Sequence, residues 1–400
     1  VATNPIGDHA RLMVIPARVI DLPRARARLG DRVARLVTFL DRVDPLADAV
    51  IETIDGLPRG EGWRLVEQAG AHGIASLPRA PESFRALYHQ IEEMPVWTDW
   101  KTIDRGGELL FRAGFLGGVV LGTKSLIHGY ASPAGNKPLV LTGRLEQQAS
   151  RRLNETARFV QAVSRPRGMR PGGDGWQIAI RVRLIHAQVR SMILKSGRWR
   201  ADLWGAPINQ HDMAGTSLLF SLSVILGLRS LGVQIAEEEA ERYVQLWRLV
   251  SHVLGVDPEL IPASMYDANG LADMIGAIQG APDADSVSLA RALLQSPRAD
   301  AKTRAEARNM ERQVHFAEAM CRHLVGEELA DALEVPRTPW RFTVGIVQRL
   351  VRGAELVRSS VPFGDVPAIA VGERYWDRVI AVGLSGAGAN FGLPDRLVAA

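Results

Sequence analysis

Disulfide bonding plays no part within this chain, because its 400 residues include a single cysteine, Cys321. One thiol excludes an intrachain bridge and any cysteine-rich metal site. Lysine is also scarce: five of the 48 basic side chains are lysines and the rest are arginines. The net charge is +4, but the arginines are spread along helical stretches and mixed with Asp and Glu. No dense basic run, zinc-finger spacing or RNA-binding aromatic motif is present, so no nucleic-acid partner is expected. Long hydrophobic runs are missing as well. The most apolar stretch, Leu109–Tyr130, is interrupted by Arg112, Lys124 and His128. Its uncharged part falls short of the roughly 20 residues that a membrane span needs. No transmembrane segment is therefore expected. The first eight residues lack the basic-then-apolar shape of a signal peptide. A cytoplasmic protein is the expectation, with a secreted mature form left open because the numbering begins at Val1. The oligomeric state is not legible.

The chain does have helical periodicity almost throughout. Apolar residues make up 46% of it and charged residues 23%, enough to bury a large core and line a cavity. Three- and four-residue apolar spacing predicts helices over Arg24–Gly56, broken at Asp44-Pro45, and over Pro81–Met94 and Gly143–Ser164. Further helices are expected over Trp176–Lys195, Met213–Leu231 with Asp212 as cap, Glu237–Leu254, Lys302–Leu333 and Trp340–Ser359. The glycines of 114–122 suggest close packing of a buried helix. No βαβ rhythm and no internal repeat occur. The predicted organisation is all-α, with one helical domain over 1–360 and a Pro/Gly-rich segment over 361–400 held loosely. The Gly383–Gly388 run fits neither a nucleophile elbow nor a dinucleotide fingerprint and reads as part of that tail.

Chemistry concentrates on two helices. None of the nine histidines forms an HExxH pair, which removes the common zinc-protease signature. His186 shares one helix face with Val182, Val189 and Ile193, and its ring nitrogens need partners there. A core histidine bonded to a carbonyl is the commoner explanation of such a pattern. Arg183 and Arg190, three before and four after it, support another: a haem ligand with flanking guanidiniums for the propionates. Solvated arginines on a helix edge explain the same pair equally well. On the preceding helix, Arg152, Glu155 and Thr156 bring a cation, an acid and a hydroxyl to neighbouring surface, either as a functional set or as an ordinary i,i+3 salt bridge with Thr156 bonded to its own helix.

Arg152-x-x-Glu155-Thr156, then His186 and Arg190, together with the block Trp204-Gly205-Ala206-Pro207-Ile208-Asn209-Gln210-His211-Asp212, resembles the latex-clearing protein family of rubber oxygenases. It is similar also to the wider group containing the farnesyl-cleaving oxygenase of mycophenolic acid biosynthesis. The likeness covers about 100–260 well. It implies a globin-like helical core with extra helices at both ends and haem b as cofactor. It implies His186 as proximal iron ligand, Arg183 and Arg190 close to the haem, and Arg152 and Thr156 near its distal face. The implied chemistry is dioxygen-dependent cleavage of an isoprenoid or other alkene C=C bond in an apolar small molecule, giving carbonyl products. Two positions depart from the family. Glu155 stands where well-known members carry a lysine able to reach the iron, and His211 stands where an acid is expected. Both departures, and the lack of a visible export signal, favour the wider group over a polymer degrader. With Glu155 as the distal proton-handling acid, the expected activity is that of a haem-dependent oxygenase; a non-catalytic haem sensor or carrier is the alternative.

Overall fold

The computed structural model describes residues 15–297 and 303–384, with only the backbone described for 144–150. The described residues are all-helical, with one isolated bridge between Val19 and Gln279 and no strand. The predicted break at Asp44-Pro45 is present: Asp44 caps the helix Pro45–Asp55, its side chain accepting the Ala47 N–H, and Pro45 sits where no N–H donor is needed. Helices Arg144–Ser164 and Asp174–Lys195 pack side by side, joined by the Gly- and Pro-containing turn read from the sequence.

Several predicted helices are divided. Leu109–Tyr130 is not one rod: Glu108–Ala113 and Phe115–Val120 are separated at Gly114, whose φ of +50° suits glycine. A π-turn at Leu121–Ser125 then leads into Leu126–Tyr130. Gly326 at φ +87° similarly splits Arg304–Val325 from Glu327–Ala332. The helix expected from Met213 begins at Gln210 and ends at Phe220, with Leu222–Ser230 following. Its cap is Asn209, whose side chain accepts the Asp212 N–H, so Asp212 itself is free for other work. Gln210–Ser230 is long and apolar enough by composition to cross a membrane, but half of it is buried in the protein, where Val224, Ile225 and Leu228 are core residues.

The C-terminal segment also differs from expectation. Asp365–Gly383 is a helix packed on Glu108–Ala113, and its buried Trp376 lies against Gly117 of Phe115–Val120. A Cβ on Gly372 would lie 1.6 Å from the Phe111 carbonyl, so the two backbones are in direct contact. Composition hid this helix because small residues there serve close packing rather than looseness. The remainder of the glycine run lies outside the described residues.

Trp376→Ala should cost about 3–5 kcal/mol of stability, as expected for truncating a buried aromatic. Denaturant unfolding checks this; a change under about 0.5 kcal/mol, normal for an unconstrained surface position, would show that the helix contributes nothing.

Candidate active site

Arg144–Ser164 and Asp174–Lys195 form two walls of a cavity of about 350 Å³. The first contributes Arg152, Leu153, Glu155, Thr156 and Phe159, and the second Val182, Ile185, His186 and Val189. Leu126–Tyr130 and Lys137–Thr142 close another side, and Gln210–Phe220 a further one with Asp212, Met213 and Thr216. Phe220 and Trp247 stack at 5.4 Å, with Phe159 edge-on to Trp247 at 6.0 Å, giving a rigid aromatic end.

The sequence stripe Val182–His186–Val189 does face this space. His186 Nδ1 is buried and has no hydrogen-bond partner, which excludes a carbonyl bond at that atom. Burial pushes the imidazole down from 6.5 to about 4, helped by the charges of Arg190 and Arg152 and opposed by Asp44. The ring is therefore neutral at physiological pH and able to donate a lone pair to a metal. Among the described residues no group of three or more His, Cys, Asp or Glu side chains is placed to hold a bare ion. One neutral imidazole in an apolar cavity suits instead a metal whose remaining ligands would come from a macrocycle, and the residues present fit haem in that respect.

Arg152, Glu155 and Thr156 share the cavity with His186. The anticipated Arg152–Glu155 salt bridge is not formed. Glu155 accepts from Arg151 Nε at 3.1 Å, leaving Arg152 without a hydrogen bond or ion pair among the described residues. Burial lowers the Arg152 pKa, with Tyr130 and Glu155 opposing, yet a guanidinium stays charged under these conditions. The site thus holds a neutral base, an unpaired cation, a carboxylate and a hydroxyl.

Arg183 and Arg190 are placed differently from expectation. Neither lines the cavity. Arg183 donates Nε to Asp44 Oδ2 at 2.6 Å and Nη2 to Asp44 Oδ1 at 3.0 Å, and Nη1 reaches Gln90 Oε1 at 2.7 Å. Arg190 pairs with Asp48 at 2.6 Å and 2.9 Å and donates Nη1 to the Ile208 carbonyl at 3.0 Å. Their donors are committed to Asp44, the cap of Pro45–Asp55, and to Asp48 within that helix, so no propionate role is needed to account for them. The sequence reading missed this because the partners lie about 140 positions away.

The Trp204–Asp212 block also has a visible purpose. Asn209 Nδ2 donates to the Ala206 carbonyl and to Asp212 Oδ2, while its Oδ1 caps the helix. Gln210 bridges the Val43 and Gly255 carbonyls and the Asp257 N–H. Asp212 takes a two-pronged bond from Arg18, at 2.7 Å and 2.8 Å, and one from His211 at 3.1 Å. Burial alone would raise the Asp212 pKa, but the charge of Arg18 and these bonds hold it well below the usual carboxylate range. Arg18 and His211 are thus part of the wall, a tie that lay outside local spacing. Ile208, within the block, has φ +52°, a costly conformation for a β-branched residue, and it lines the cavity.

Residues 106–356 match the family model described as the catalytic domain of the ER-bound oxygenase mpaB/B′ and rubber oxygenase. A rubber oxygenase of Streptomyces sp. (strain K30) is 26% identical over 279 residues, which cover 67% of this chain. Those residues span 65% of that relative's length. A solved structure of latex clearing protein in its closed state superposes with a TM-score of 0.65 at 23% identity, covering 84% of this chain and 88% of that one. That likeness shows a shared fold. With more than half of its length matched by the family model, the chain belongs to the mpaB/B′ and rubber oxygenase family.

Proposed function

We propose that the chain is a haem b-dependent oxygenase that uses dioxygen to cleave a C=C bond in an apolar substrate, isoprenoid or another alkene, to carbonyl products. The observation that carries the reading is His186: neutral, half-buried, with its Nδ1 shielded and unpartnered, and facing an apolar cavity. Haem, when bound, would supply the iron that activates dioxygen. His186 would hold that iron. Burial and the two nearby arginines disfavour the imidazolium, so the ring does not lose its lone pair to a proton at neutral pH.

The remaining cavity residues handle orientation, charge and protons. Leu153, Phe159, Ile185 and the Phe220–Trp247 stack exclude water and give an apolar molecule a surface to fill. Arg152 supplies a fixed positive charge where negative charge develops. Glu155 holds or moves a proton at its carboxylate, kept in place by Arg151. Thr156, one residue on, offers a hydroxyl to the same space. A carboxylate at 155 would be a weaker candidate than an amine for a bond to the iron, so Glu155 is read as a proton-handling group and not as a ligand.

His186→Ala should purify as a helical protein without a Soret band under conditions where the wild type takes up haem stoichiometrically. Full haem content with an unchanged spectrum would remove His186 as the ligand.

The arginines should separate by readout. Arg183→Ala and Arg190→Ala each remove a buried guanidinium from a partly exposed aspartate and should cost about 1.5–3 kcal/mol in denaturant unfolding. Arg152→Ala breaks no pair; it should leave stability near wild type and lower turnover by about 10²–10³-fold, the usual effect of losing one electrostatic donor. The reverse pattern would reassign all three.

Glu155→Gln should retain haem and lose activity by about 10²–10⁴-fold. Turnover of an alkene panel under labelled dioxygen should place label in carbonyl products. Label-free products formed only with peroxide would mean a different reaction, and wild-type turnover by Glu155→Gln would leave Glu155 as the salt-bridge partner of Arg151 alone.

A further inference from the structure

One helix carries an apolar face that none of the described residues covers. Arg341–Ser360 buries one side, with Val344 and Glu355 inward. On the opposite side Phe342, Ile346, Leu350 and Val357 follow one another at four- or seven-residue intervals and are all exposed, Phe342 and Leu350 at 68% each. The turn after the helix continues the patch with Phe363, 85% exposed. Single exposed apolar residues need no explanation, but a stripe running the length of a helix does.

The charge on this helix is one-sided. Its one acid, Glu355, is turned inward and is bonded to Arg112 and Arg358. Arg341, Arg349 and Arg352 are exposed and form no ion pair among the described residues. Arg349 lies within the apolar stripe, and Arg341 and Arg352 lie along one flank. Arg112 also bonds Glu239 at 2.8 Å and 2.9 Å, so the buried side is tied firmly to the body and the exposed side is a fixed surface.

We propose that this face docks the protein on an anionic lipid surface. An amphipathic helix with bulky apolar side chains and unpaired arginines inserts its apolar residues at the headgroup boundary while the guanidiniums meet lipid phosphates. The same charge distribution disfavours a second copy as the occupant. A two-fold pairing of this stripe would bring Arg349 of one copy close to Arg349 of the other, with no acid on either face to compensate.

The test is co-sedimentation of the full chain with vesicles of phosphatidylcholine alone and of phosphatidylcholine with phosphatidylglycerol in equal amounts. The protein should partition onto the anionic vesicles and release as salt rises. Arg349→Glu with Arg352→Glu should weaken that partition by about tenfold or more, since each basic residue at the surface is worth about 1 kcal/mol. Ile346→Asp with Leu350→Asp should weaken it comparably, and Arg349→Lys with Arg352→Lys should keep it. Circular dichroism confirms that each variant is folded. Absence of partition, equal partition onto neutral vesicles, or unchanged partition by the charge-reversed variant would overturn the proposal. So would a wild-type dimer in sedimentation velocity that Ile346→Asp with Leu350→Asp dissociates.

Discussion

Two buried arginine–aspartate pairs fix the helix that carries His186. Arg183 with Asp44 and Arg190 with Asp48 fasten Asp174–Lys195 to Pro45–Asp55 at points two helical turns apart. Each arginine is 3% exposed, so water screens these bonds little, and bidentate geometry sets both position and rotation. His186 lies between the two anchors and inherits their orientation. The surrounding chain has adapted to them. Gly255, at φ +77°, passes so close that a Cβ there would sit 2.5 Å from Arg183 Nε and from Asp44 Oδ2. Arg190 also holds the Ile208 carbonyl, in a backbone conformation that a β-branched residue adopts only when its surroundings impose it.

The polar groups therefore divide into two sets with different electrostatic roles. On the Pro45–Asp55 side, the carboxylates facing the His186 helix, Asp44 and Asp48, are each paired with a buried arginine. On the cavity side, Arg152 has none among the described residues and His186 lacks one at Nδ1. Leaving a polar group such as His186 Nδ1 shielded and unpaired costs stability, and here that cost falls on the ring that faces the apolar space. The paired set supplies the rigidity that keeps the unpaired set from relaxing toward solvent or toward each other. Glu155 shows the same separation: it is drawn to Arg151, on the exposed side of its own helix, instead of neutralising Arg152.

Local sequence carried the helical architecture and the identity of the cavity wall. The 3.6-residue period located both long helices to within a few residues, and it put His186 on the right face because a ligand stripe and a core stripe have the same spacing. The Arg152–Glu155–Thr156 set was legible for the same reason. What local spacing could not supply was the choice of partner. Arg183 and Arg190 flank His186 in sequence, but each lies outside the cavity lining, and Asp44 and Asp48 compete for them from a helix about 140 positions earlier. Arg151 and Arg152 are equally good partners for Glu155 by helix geometry; only burial decides between them. The C-terminal helix was hidden by the opposite effect. Its small residues look like a linker, yet Gly372 is small because the Phe111 backbone touches it.

The block around Asn209 and Gln210 shows why a motif can identify a family without containing its chemistry. Asn209 is fully buried, and Gln210 nearly so, and their hydrogen bonds go to backbone groups of three separate segments and to Asp212. Any substitution there would strand several buried donors and acceptors at once, which is a stronger constraint than any single contact with a substrate. The result of that knot is positional. It sets the start of Gln210–Phe220, whose side chains Met213, Thr216 and Phe220 line the cavity facing His186's helix. His211, which departs from the acid expected by resemblance, lies in this knot with Nδ1 on Asp212, and it is Asp212 that reaches the cavity lining. The departure at 211 therefore changes how the wall is fastened, whereas the departure at 155 changes a group that lines the cavity itself.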